Sequence, residues 1–133
     1  MKISLKFDVP PDFVAVKADS VELEQVLFNL VHNALDAVEG QASPIVEVQL
    51  YVGANDAFID VRDNGRGVPL EIRPQIFEPF ITDKKEGTGL GLALSQRLTD
   101  QMGGEISLLE DTEKTIFRVR LPISKEPKLE AAQ

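Results

Sequence analysis

The sequence predicts an α/β fold. Apolar residues alternate with polar ones in five short stretches, recur at helical spacing in two longer ones, and the two kinds interleave along one chain of 133 residues. Ile3, Leu5 and Phe7 form the opening strand, which Pro10-Pro11 stops. Asp19 or Ser20 caps a helix running to about Gly40, with Leu23, Val26, Leu27, Leu30, Val31, Ala34, Leu35 and Val38 as its core stripe. Val46, Val48, Leu50 and Val52 share one face of the next strand. The turn Gly53-Ala54-Asn55-Asp56 then leads into the stretch Phe58 to Asp63, so the two strands form a hairpin. From Val68 to Glu86, Pro69, Pro74 and Pro79 break the pattern, and only Ile72 to Phe77 suits a short helical turn. Leu90, Leu92, Ala93, Leu94, Leu98 and Met102 mark a second helix, ended by Gly103-Gly104. Ile106 with Leu108, then Phe117, Val119 and Leu121, alternate in the last two strands.

A chain of this length buries roughly two-thirds of its unfolded surface, enough for one core. With no cysteine, disulfides and thiolate metal sites are excluded. The net charge of −8 argues against a nucleic-acid partner but leaves nucleotides open, because backbone amides, a metal and a few lysines bind phosphate locally. No apolar run reaches membrane-spanning length and no leader pattern is present. The chain is therefore expected to be soluble and to make no membrane contact.

Chemistry concentrates at Asp63-Asn64-Gly65-Arg66-Gly67. In Phe58 to Asp63, Ile59, Val61 and Asp63 share one face, so extending the apolar face leads to a carboxylate. A buried carboxylate must find a donor, a proton or water. Gly65 and Gly67 let something approach the backbone closely, so Asp63 reads as an acceptor at a pocket mouth, aimed at a flat donor such as a base amine. Taken alone, Asp-Asn-Gly reads first as an ordinary turn after a strand. On the first helix, Asn29, Asn33 and Asp36 fall within a sector about 60° wide at the edge of the core stripe. Two Asn one turn apart there either bond neighbouring backbone or offer carbonyl oxygens to a hard cation such as magnesium. His32 points further round, to solvent. Phe77 and Phe80 flank Glu78-Pro79, and Lys84-Lys85 precede a glycine cluster at 87, 89 and 91. This looks like a lid over an anionic ligand. The cluster presents amides at a helix start to phosphate, yet it fits neither the Walker loop nor the dinucleotide loop, and alone it also suits a hinge.

In combination and in this order, these features resemble the catalytic and ATP-binding domain of sensor histidine kinases, within the GHKL ATPase superfamily shared with gyrase, Hsp90 and MutL. Asn29 to Ala34 matches the N box, Asp63 to Gly67 the first glycine box, Ile76 to Phe80 the F box and Gly87 to Leu92 the second glycine box. The Phe80 to Lys84 run is most similar to the nitrogen-regulation and dicarboxylate-sensor branch. The resemblance implies a two-layer sandwich, a mixed sheet covered on one face by helices (the Bergerat ATP-binding fold), over residues 1–123, with a disordered tail at 124–133. It implies ATP and Mg2+ as ligands. Asp63 would accept from the adenine amine, with Gly65 and Gly67 beside it and Thr115 helping to recognise the base. Asn33 would ligate magnesium with Asn29 next to it, and these two are the catalytic candidates. Phe77 and Phe80 would belong to the lid, Gly87, Thr88, Gly89, Leu90 and Gly91 would wrap the phosphates, and Lys84 would contact them. The chain departs from the pattern at Asp36, where many members carry a basic residue, so Lys84 or Lys85 would have to meet the phosphate charge.

In the gyrase and Hsp90 branch, the residue one turn before the magnesium asparagine is a water-activating glutamate. Here it is Asn29, which cannot act as a base, so hydrolysis is expected to be slow. The resemblance implies instead γ-phosphoryl transfer to a histidine on a separate dimerisation and phosphoacceptor domain, in the same parent chain or in trans. A response regulator would be the indirect partner. His32 lies inside the N box and lacks the acidic residue that follows family phosphoacceptors. A cytoplasmic location is expected, the parent protein being free to carry a membrane anchor. A stand-alone anti-sigma-type serine kinase and a nucleotide-binding switch are the alternatives.

Overall fold

A computed structural model describes residues 4–8, 15–16, 18–82, 89–109 and 113–124. Ile3, Pro10, Pro11, Lys84, Lys85, Gly87, Thr88 and the tail at 125–133 lie outside the described residues. Strand β1 (Ser4–Asp8) lies parallel to β2 (Ile45–Val52), and the helix α1 (Ser20–Ala37) supplies the crossover that a parallel pair needs. β2 is antiparallel to β3 (Asp56–Asp63), forming the expected hairpin. After a 3-10 turn at Arg73–Gln75 come α2 (Gly91–Gln101), β4 (Glu105–Leu108) and β5 (Thr115–Pro122). β5 inserts antiparallel between β3 and β4, giving the order β1-β2-β3-β5-β4.

Both helices pack on one face of this mixed sheet. Val26, Leu30, Ala34 and Val38 of the α1 segment and Leu98 and Met102 of the α2 segment meet Val46, Ile59, Val61, Ile106, Phe117, Val119 and Leu121 in one core cluster. These strand residues belong to the alternating sets read from the sequence, and Asp63 ends the same face. Asp19 caps α1 by accepting from the Glu22 amide at 3.0 Å. α1 passes at Ala37 into a turn over 38–40 that ends at Gly40 with φ +88°, and the loop after β3 bonds its last carbonyls. The Arg66 amide donates to the Ala37 carbonyl at 3.3 Å, and Arg66 Nη1 donates to the Asp36 carbonyl at 3.3 Å. Leu90, counted with the second helix from its spacing, sits at the cap position before α2 and is exposed.

Candidate functional site

The C-terminal end of β3, the exposed edge of α1 and the start of α2 enclose a cavity of about 890 Å3, toward the upper end of small-molecule sites (roughly 300–1,000 Å3). Asn29, Asn33 and Asp36 of α1 all line it, one turn apart, as their shared sector on the helix requires. Asp63, Gly67 and Thr115 line it from the strand ends, Asp63 and Thr115 being partners in the β3–β5 register. Gly89 and Gly91 close it at the start of α2.

Asp63 is 3% exposed, and its only hydrogen bond among the described residues is from the Gly65 amide to Oδ1 at 2.9 Å. Burial pushes its carboxyl above the usual carboxylate range, while the Gly65 amide and the Arg66 charge pull the other way. Asn64 locks this turn to the sheet, its side chain accepting from the Ile45 amide at 2.9 Å and donating to the Ser43 carbonyl at 2.8 Å. Gly65 is not part of the cavity wall but is required beside it, because a Cβ there would stand 2.2 Å from the Ala37 carbonyl oxygen. One short loop thus aims Asp63, caps α1 and fixes the distance from the carboxylate to the two asparagines.

At the other end, no described side chain caps α2. Leu94 is the first of its amides to bond back, to the Leu90 carbonyl at 2.9 Å, and the positive end of the helix abuts the cavity. Gly89 holds φ +75°, and its missing Cβ would lie 2.4 Å from the carbonyl carbon of Phe80, whose amide donates to the Gly89 carbonyl at 2.8 Å. Phe80 is itself at φ +71°, a conformation that bulky residues rarely adopt, so this clasp joins two constrained residues on either side of the 83–88 stretch.

Phe77, Phe80, Gly65 and Leu90, all expected at the site, are not among the residues lining the cavity. Phe77 turns to the core, packing edge-on against Phe117 with ring centroids 6.0 Å apart, and Phe80 is 75% exposed. Lys84, Gly87 and Thr88 lie outside the described residues. His32 is 62% exposed, as expected, yet it reaches the cavity rim and sits 3.6 Å from Asp36. Phe28, Arg66, Ile81 and Thr82 line the cavity without having been singled out for it; Arg66 stood in the glycine box, and Phe28 precedes Asn29 off the apolar stripe. Among the described lining residues Arg66 is the one Lys or Arg, beside the acids Asp36, Glu39 and Asp63.

No group of three His, Cys, Asp or Glu able to hold a metal occurs among the described residues. The hard neutral side-chain donors among the lining residues are the Asn29 and Asn33 amide oxygens and the Thr82 and Thr115 hydroxyls. That set fits a cation carried in largely by phosphate oxygens, and not one caged by protein alone.

Comparison with known proteins agrees with this layout. Residues 18–125 match the family model described as histidine kinase-, DNA gyrase B-, and HSP90-like ATPase. The C4-dicarboxylate transport sensor protein DctB of Rhizobium meliloti (strain 1021) is 36% identical over 118 residues, covering 89% of this chain and 19% of the relative. The sensory histidine kinase/phosphatase NtrB of Rhizobium leguminosarum bv. phaseoli is 36% identical over 146 residues, covering 99% of this chain and 38% of the relative. The chain therefore spans well under half the length of either. The catalytic domain of histidine kinase ThkA in a nucleotide-free form superposes with a TM-score of 0.79 at 29% identity, covering 90% of this chain and 80% of that one. Thus the chain belongs to the histidine kinase-, DNA gyrase B- and HSP90-like ATPase family, as an ATP-binding catalytic domain of the sensor histidine kinase kind.

Proposed function

We propose that this chain binds ATP with Mg2+ and donates the γ-phosphoryl group to a histidine on a separate dimerisation and phosphoacceptor domain. Residues 1–123 form the nucleotide-binding unit and the polar tail from 124 stands outside it. The observation that carries the reading is Asp63. It is a carboxylate 3% exposed at the cavity, bonded among the described residues only to one backbone amide, with acceptor capacity left for the adenine amine. Thr115, its register partner, shares the base end. Asn33, with Asn29 beside it, is the protein's contribution to magnesium, which when bound neutralises charge on the phosphate oxygens. The start of α2 at Gly91, together with Gly87, Thr88, Gly89 and Lys84, receives the phosphates.

The chain positions and the partner reacts. Asn29 has no basic lone pair with which to activate water, so ATP persists in the site until an acceptor arrives. The acceptor imidazole nitrogen then forms a bond to the γ-phosphorus as the bond to the β–γ bridging oxygen breaks, releasing ADP. His32 does not serve, since it lies on α1 beside Asn33 and pairs with Asp36. A response regulator receives the phosphoryl group in turn, and the whole operates in the cytoplasm. No described helix is long and apolar enough to cross a membrane.

The test is to mix the chain with a histidine-bearing helical dimerisation domain and γ-labelled ATP. Acid-labile, base-stable label on the partner is expected. Acid-stable label on a partner serine, or tight ATP binding with no transfer to the histidine domain, would overturn the reading.

A further inference from the structure

Helix α2 buries two hydroxyls completely, Ser95 and Thr99, among otherwise apolar core positions. They are satisfied in different ways. Thr99 turns back on its own helix and donates to the Ser95 carbonyl at 2.7 Å. Ser95 reaches across the helix boundary instead, and its Oγ accepts from Asn29 Nδ2 at 3.2 Å. The same Nδ2 donates to the Gly91 carbonyl at 3.4 Å. A carbonyl can only accept, so the Gly91 contact fixes which end of the Asn29 amide faces α2. The nitrogen is held there, and the oxygen is the end left for the cavity that Asn29 lines.

We infer that Ser95 is a positioning residue for the nucleotide site: by accepting from Asn29 it holds in place the amide that the Gly91 carbonyl orients, with its oxygen toward the phosphate and metal end of the cavity. The inference rests on the reading of Asn29 as the neighbour of a metal-binding Asn33. It also ties α1 to the first residue of α2, so the asparagine and the phosphate-facing helix start hold one mutual position. Ser95 touches no ligand and acts only through Asn29. Without the hydroxyl, Asn29 keeps the longer Gly91 contact alone and its amide samples other rotamers.

The experiment is a calorimetric titration of ATP into the wild-type chain, Ser95→Ala, Asn29→Ala, the double variant and Thr99→Val, each with Mg2+ and again with EDTA. Ser95→Ala is expected to weaken ATP binding in Mg2+ by about fivefold, the size of one hydrogen bond, and by less than about twofold in EDTA. In the Asn29→Ala background the same substitution is expected to have no effect, because the group that it positions is gone. Thr99→Val removes an equally buried hydroxyl that does not reach Asn29, and the metal-dependent part of binding is expected to survive it. Equal losses for Ser95→Ala with and without metal, or losses that multiply in the double variant, would overturn the role of Ser95 while leaving Asn29 standing. An Asn29→Ala variant that binds ATP in Mg2+ like wild type would instead remove Asn29 from the site, and the inference with it.

Discussion

Asp60 and Asp63 stand on one strand, both buried, and differ in everything that surrounds them. Asp60 is 0% exposed on the sheet face away from the helices. Arg118 donates to both its oxygens, at 2.8 and 2.9 Å, and the Tyr51 hydroxyl adds a bond at 3.2 Å. The Arg118 guanidinium lies over the stacked rings of Tyr51 and Phe58, 5.4 and 5.5 Å from their centroids. Burial and the Asp60 charge raise the Tyr51 hydroxyl above its ordinary value, so it stays a donor. Asp63, on the helix face, has one amide and, among the described residues, no side-chain donor. One carboxylate is saturated and joins three strands; the other keeps its capacity for a ligand. An odd step along a strand reverses the face, and with the face goes the role.

This contrast can be broken from either side. The largest effect is expected for Asp60→Ala, which strands Arg118. Stability should fall by about 3 kcal/mol, the low end for a broken buried pair because Arg118 is 31% exposed and can rehydrate. The melting temperature should drop by roughly 10 °C, with ATP affinity of the folded protein unchanged. Loss of ATP binding without loss of stability would reverse the roles of the two acids. Next comes Asp63→Asn, which turns an acceptor partly into a donor facing the adenine amine. ATP affinity is expected to fall about 100-fold by calorimetry, and unchanged affinity would remove Asp63 from the base pocket.

The same variant should raise the stability of the ligand-free protein, by about 1 kcal/mol, since it removes a charge that burial disfavours. The smallest effect is the pH dependence of that gain. The folded-state pKa of Asp63 lies above its unfolded value, so the folded protein binds the proton more tightly, and its stabilising contribution is lost as pH rises through the folded pKa. The advantage of Asp63→Asn over wild type in urea unfolding should therefore be largest near neutrality and shrink as pH falls toward the ordinary carboxylate range. An advantage that grows in acid would show Asp63 to be a stabilised anion.

Local patterns were legible in the sequence. Two-residue alternation put Ile59, Val61 and Asp63 on one face, and the 100° step gathered Asn29, Asn33 and Asp36, which the fold brings to one cavity. What depends on long-range register was not. Nothing near Asp60 announces Arg118, its neighbour in the β3–β5 register at a separation of 58 residues. The last carbonyls of α1 are met by Arg66, 30 residues on, which helix spacing alone does not announce. Phe77 reads from the sequence as an aromatic of the long connection, and its partner Phe117, 40 residues on, is set by long-range packing. Ser95 was passed over because a serine among leucines carries no sign of which helix it will touch.

The central claim is that Asp63 reads the amine of the base. Titrating the wild-type chain with ATP and with inosine triphosphate, both in Mg2+, tests it without any mutation, because the second nucleotide carries a carbonyl oxygen where the first has its amine. ATP is expected to bind about 100-fold more tightly, the carboxylate and the carbonyl oxygen being two acceptors face to face. Equal affinity for the two would contradict it.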